Sequence, residues 1–178
     1  AVTVEQVKEA IDIIAAWDGD CSSESSHAAY ATVFQILLLK RLLLTLTAVD
    51  KISERAMEII MGSGFNDRLF SVSEYHSHES KIIQALLNKF EKMSSQSESQ
   101  IKFAAIVDTI LQLRELLPAL YAASAPLKDY KFGMIHQVEF KHAFGAKIPC
   151  FNRGPYNYGG TGHTLNMQSF IPNGKQYH

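Results

Sequence analysis

The side chains able to do chemistry are few and scattered. Three histidines stand in the last third of the chain, His136, His142 and His163, and a His76-x-His78 pair lies near its middle. At even spacing on an extended strand such residues share a face, and three imidazoles form a known zinc ligand set. No acidic or cysteine ligand stands at fixed spacing beside them. Histidines hydrogen-bonded within a β region are therefore expected, and no metal ligand is assigned. Asp18 lies between Trp17 and Gly19. A carboxylate there can act as a catalytic acid, but at a helix end it fits better as an acceptor for backbone amides of the following turn. The serines between Ser22 and Ser26 have no partnering histidine or aspartate in view, so a Ser-His-Asp triad is a poor reading. Gly159-Gly-Thr-Gly162 lacks the Lys-Thr and the strand-to-helix context of a phosphate-binding loop. Arg153, before Gly154-Pro155, can pair with a buried acid or lie on the surface.

Helices must position these residues, because helical patterns fill most of the chain. Thr3-x-x-Gln6 is a capping-box pattern, and Val4, Val7, Ile11 and Ile14 recur at helical spacing, predicting a helix over residues 3–16. Trp17-Asp18-Gly19 ends it. Residues 28–46 form the most hydrophobic stretch. Gln35, Lys40 and Arg41 interrupt it, so the clean apolar run falls short of the roughly 20 residues a bilayer needs, and a helix buried on most faces is expected. Further helices are predicted over 53–61, 79–93 and 101–121. The fourth carries Ile82, Ile83, Leu86, Leu87 and Phe90 on one face. The fifth carries Phe103, Ile106, Val107, Ile110, Leu113, Leu117 and Leu120, with Pro118 forcing a kink or an end near Leu117. From Lys131 the period changes: Met134, His136, Val138 and Phe140 alternate with polar residues, as in a strand. Leu165, Met167 and Phe170 suggest a second short strand, opening near His163 after the glycine-rich run. The expected fold is mainly α with a small β portion: a helical bundle over 1–126 and a β-containing segment over 127–178, forming one structural unit.

The 178 residues suffice for one domain with a real core. A hydrophobic fraction of 47% and a charged fraction of 20% are ordinary globular values. The net charge of -1 gives no electrostatic case for nucleic acid or an anionic membrane as partner. Cys21 and Cys150 are too few for a disulfide scaffold.

Three pieces in order resemble one family. Ala16-Trp-Asp-Gly19, with serines ahead of Ala28-Ala29, is the first. Phe132-Gly-x-x-His136, followed by Val138-x-Phe140-x-His142 and Gly145, is the second. Arg153-Gly-Pro-Tyr156, then Gly159-Gly160-x-Gly-His163-Thr-Leu-Asn166, is the third. Together they look like the penicillin acylase (penicillin amidase) family, from about Ile11 to Asn166. Thr161 departs from the aspartate common there.

The resemblance implies a piece of a larger αββα N-terminal-nucleophile hydrolase, from the C-terminal part of its large subunit, with both ends read as cut. Such enzymes hydrolyse acyl amides (β-lactam side chains, acyl homoserine lactones or other N-acyl compounds) through an N-terminal Ser, Thr or Cys whose own amine is the base. Ala1 supplies no such group. An internal cut at Gly62-Ser63 or Asp20-Cys21 would free one, but neither is followed by a strand pattern. The oxyanion-hole residues and the family's calcium ligands are expected upstream, so no catalytic residue and no cofactor are assigned here. Trp17, Asp18, His136, His142, Arg153, Gly160, His163 and Asn166 are then structural motif residues, with Asn166 bonding the glycine loop. The expected partners are the rest of the parent acylase and, for that parent, a small acyl amide; the expected location is periplasmic or secreted. A free-standing helical interaction module without chemistry is the alternative.

Overall fold

The computed structural model describes residues 1–50, 79–94 and 96–160. The helix predicted over 53–61, the His76/His78 pair, Ser63 and the strand predicted around Leu165 and Phe170 lie outside the described residues.

Local signals set the helix ends. α1 (Val4–Ala15) opens on a reciprocal cap: Thr3 Oγ1 accepts the Gln6 N–H at 3.3 Å and Gln6 Oε1 accepts the Thr3 N–H at 3.1 Å. α2 (Ser26–Asp50) is the long central helix. α3 covers Glu79–Met93. α4 (Glu98–Leu116) starts on the same device, Ser97 with Gln100. Each such cap contributes about 1 kcal/mol. Pro118 cannot donate to the previous turn, so α4 stops at Leu116 and α5 (Pro118–Ala122) restarts with that proline in its first turn. A 3-10 turn (Leu127–Asp129), α6 (Phe132–Ile135), β1 (Gln137–Phe140), a second 3-10 turn (Pro149–Phe151) and β2 (Arg153–Asn157) complete the order.

Helix α2 packs against α1, α3 and α4. One apolar cluster joins Val7, Ala10 and Ile13 of α1 to Tyr30, Val33 and Leu37 of α2 and to Ile110 and Leu113 of α4; a second joins Leu38 and Leu42 to Leu87, Phe90 and Ile101. Arg41 and Asp108 add an ion pair between α2 and α4. By length and composition Ser26–Thr45 would suffice to cross a membrane, although the clean run looked too short in the sequence; 56% of it is buried by the neighbouring helices.

Two helical faces differ from expectation. On α1, Val4 and Ile11 are exposed, while Val7, Ala10 and Ile13 are buried. Small Ala10 turns toward α2 where a larger side chain would hold the helices apart. On α4, Phe103 is 54% exposed and Ile101, Ala105 and Thr109 are buried instead; the helix is apolar on several sides, so periodicity could not select one. The Thr109 hydroxyl is satisfied by the Ala105 carbonyl at 2.7 Å.

The β portion is a two-stranded antiparallel sheet with Val138 opposite Tyr156 and Phe140 opposite Arg153. The expected strand from Met134 to Phe140 is cut short, because Phe132–Ile135 is a helical turn in which the His136 N–H bonds the Phe132 carbonyl at 2.9 Å. Its partner runs through Gly154-Pro155, expected to be loop. A proline is tolerated there because β2 pairs on one side only among the described residues.

Leu113 and Phe90, one in each cluster, are completely enclosed. Leu113→Ala and Phe90→Ala should each lower the unfolding free energy by about 2–5 kcal/mol in urea titrations. Tyr30 is also completely buried, edge-on to Tyr130, and its hydroxyl has no hydrogen-bond partner among the described residues. Burial pushes its ionisation far above the ordinary range, with Tyr130 adding to the effect. Tyr30→Phe removes that buried polar atom and should raise stability by about 1 kcal/mol; a loss of similar size would mean that the hydroxyl is bonded.

Candidate functional site

The site is built on the loop after α1. Gly19 takes a positive φ of 91°, a conformation that favours glycine. Asp18 Oδ1 accepts the Asp20 N–H at 2.9 Å, and the Trp17 indole N–H donates to the Asp20 carbonyl at 2.9 Å. Asp20 accepts both the Ser22 N–H (3.0 Å) and the Ser22 hydroxyl (2.8 Å). The serine cluster thus has an aspartate partner that spacing alone did not suggest, and the contact closes a turn two residues long.

These local bonds leave alternate carbonyls of the loop to reach distant parts of the chain. The Cys21 carbonyl accepts the Gly160 N–H at 2.7 Å, the Ser23 carbonyl accepts the Gly133 N–H at 2.7 Å, and the Ser25 carbonyl accepts the Phe132 N–H at 3.0 Å. The His136 carbonyl in turn accepts the Tyr158 N–H at 2.9 Å. All three sequence motifs therefore meet in one hydrogen-bonded junction. Glycine is needed for the approach. A Cβ on Gly133 would stand 2.7 Å from the Ser23 Cβ and 2.8 Å from the Asn157 Cβ, and one on Gly159 would stand 2.9 Å from the Cys21 carbonyl oxygen. Gly160 has a φ of 92°.

His136 is 1% exposed at this junction. Its ring lies edge-on between Phe132 (centroids 5.3 Å apart) and Tyr158 (5.7 Å). Burial lowers its pKa to about 4, because the charged imidazolium would lose its hydration there.

His142 does not share a strand face with His136, since neither lies within β1. The register breaks between Val138 and Phe140, and the chain turns at His142, where the Gly145 N–H bonds the His142 carbonyl at 2.7 Å. His142 is exposed, with its ring against Phe151 at 5.1 Å, its N–H on Asn152 Oδ1 at 3.0 Å and its Nδ1 accepting the Phe144 N–H at 3.2 Å. Arg153 is exposed on β2. His163 and Asn166 lie outside the described residues.

Among the described residues, no three histidine, cysteine, aspartate or glutamate side chains stand together as a metal site. What the junction does is hold backbone segments from both ends of the chain. Sequence reasoning singled out Gly160 and His136 but missed Ser23, Ser25 and Gly133 as their neighbours; Gly133, at the start of the second motif, was the available signal for a close approach.

Two measurements probe the junction. Gly133→Ala forces Ser23 and Asn157 apart and should cost about 1–3 kcal/mol in urea titrations, whereas Ala substitution at Ser124, an exposed residue in αL geometry outside the junction, should change stability by well under that amount relative to its own backbone strain. The pKa of His136 is depressed in the fold, so the unfolded chain binds the extra proton first as pH falls. The stability it contributes is fully present above about pH 6.5, declines between there and about pH 4, and is lost below. Unfolding free energies measured between pH 7 and pH 4 should include a loss on the order of 3 kcal/mol from this residue, absent in a folded His136→Phe variant.

The penicillin amidase family model matches residues 2–178. No curated protein and no solved structure matches the chain significantly. With a family match over essentially its whole length, and with its three separated motifs joined in one junction, the chain belongs to the penicillin amidase family.

Proposed function

We propose that this chain is a scaffold segment of an amidohydrolase that cleaves acyl amide bonds, and that the nucleophile and its base are supplied from outside these residues. The observation that carries this is the junction. Its motif residues spend their polar groups on backbone tethering, and the described residues offer no assembled nucleophile, base and orienting group. The family supports hydrolase chemistry in general; the N-terminal-nucleophile mechanism, the choice among β-lactam side chains, acyl homoserine lactones and other N-acyl compounds, and a periplasmic or secreted location are part of the proposal. Calcium, if the parent holds it, is assigned to ligands outside this chain.

Exposed apolar residues support a partner within the parent enzyme. Phe140, Phe144, Ile148, Phe151 and Tyr156 are 42–62% exposed in the β portion, where β1 and β2 form a two-stranded sheet, marginal in isolation. Packing against the catalytic portion of the parent would cover them, as expected for a patch of this kind.

The test is hydrolysis of a panel of chromogenic acyl amides by the purified chain, alone and combined with the upstream polypeptide of its parent. The expected outcome is no turnover above buffer for the chain alone and turnover for the combination. Reproducible turnover by the chain alone would place a nucleophile within it and overturn the assignment, with Cys21 and Ser63 the first residues to replace.

A further inference from the structure

The net charge of -1 conceals a segregation along the chain. All 18 acidic residues lie at or before Glu139, together with 13 of the 17 lysines and arginines. From Phe140 onward there is no acid, and Lys141, Lys147, Arg153 and Lys175 are the cations. Charge asymmetry within one chain bears on its partners rather than on its fold. In the structure it falls on the β portion. Lys141 is paired with Glu139 at 3.6 Å. Lys147, in the loop between β1 and β2, and Arg153, on β2, are exposed and make no ion pair among the described residues.

Exposed aromatic rings are interleaved with these cations. Phe140 stands opposite Arg153 across the strands, so ring and guanidinium share a face. In the loop, the His142 ring links Phe144 (centroids 5.8 Å apart) to Phe151 (5.1 Å). The loop that carries them is held in one shape by buried backbone and a single side chain. Asn152 Oδ1 accepts the His142 N–H at 3.0 Å, and Asn152 Nδ2 donates to the Gly145 carbonyl at 3.4 Å. Gly145 is buried, and a Cβ there would collide with the Asn152 side chain. A surface fixed before binding loses less conformational freedom when it meets a partner.

Resting on the scaffold assignment above, we propose that this hairpin docks on an acidic, apolar-lined surface of the parent's upstream polypeptide. Carboxylates of that surface face Lys147 and Arg153, the latter able to hold one through two parallel hydrogen bonds, while Phe144 and Phe151 enter the apolar part. The acid-rich remainder of the chain repels the same partner, which fixes the end by which the chain is met. Lys141, Lys147 and Arg153 fall short of the roughly four to eight cations that mark recognition of an anionic membrane surface, so a protein surface is the better fit.

The test is titration of the full chain with the upstream polypeptide of its parent, followed by calorimetry. Raising NaCl from about 0.1 M to about 1 M shortens the screening length from about 10 Å to about 3 Å and should weaken association by at least about tenfold. Lys147→Glu and Arg153→Glu should each weaken it by about tenfold or more at low salt with the thermal melt preserved, and Phe144→Ala by about tenfold at either salt. Lys128→Glu, the same reversal at an exposed cation of the first 3-10 turn, should change it by less than about threefold. Association that ignores salt and both reversals would overturn the acidic surface while leaving the scaffold assignment in place. No association at all would overturn both. Sedimentation with vesicles of phosphatidylglycerol and phosphatidylcholine runs in parallel: saturable binding to them, lost in the same variants, with no binding of the polypeptide would assign the hairpin to a lipid surface and overturn the protein partner.

Discussion

Three peptide carbonyls, those of Cys21, Ser23 and Ser25, carry the constraint on which the C-terminal third depends. Each bond they accept is worth only about 1 kcal/mol net, but a buried amide left unmatched costs more than a made bond contributes. Gly160, Gly133 and Phe132 are therefore held to one position relative to the loop after α1. The loop can offer those carbonyls because Asp18, Asp20 and Gly19 settle its own amides and its turn locally. The side chains fold the loop, and the backbone it presents holds everything else.

That loop is in turn fixed by what lies on either side of it. α1 and α2 pack through Ala10 and Tyr30, and α2 supplies residues to both apolar clusters. One helix can serve both because it is apolar on most faces, with Arg41 paired to Asp108 where it meets α4. The 3-10 turn at Leu127–Asp129 and α6 then dock on the same core through Leu127, Tyr130, Phe132 and Ile135. This brings the second motif beside the first. β1 and β2 add little burial of their own, since every residue of β2 is exposed, and their attachment rests on the junction and on Val138.

Membership of the penicillin amidase family and the geometry of the junction bear on each other. Residues that stand out in the sequence by type, an aspartate beside a tryptophan, spaced histidines and paired glycines, invite a catalytic interpretation. In the fold Asp18 closes a turn, His136 fills a buried aromatic niche and Gly133 and Gly159 make room for the opposing loop. A distinctive motif can thus mark a place where chain segments must come unusually close.

Much of this was legible in the sequence because its causes are local. Thr3 with Gln6 starts a helix, Pro118 ends one, Gly19 and Gly160 permit left-handed turns, and the apolar content of residues 28–46 demands a core. Such preferences act within a few residues and leave a pattern that can be read along the chain, as do the motifs that carry the family. The tertiary structure alone decided which face of α1 and α4 is buried, that Arg153–Asn157 pairs with β1, and which loop carbonyl meets which distant amide. Those choices depend on the shape and hydrogen-bonding groups of partners more than a hundred residues away for the junction, about twenty away for the sheet. Local propensity is nearly indifferent between the alternatives, and only the packed neighbour separates them in energy.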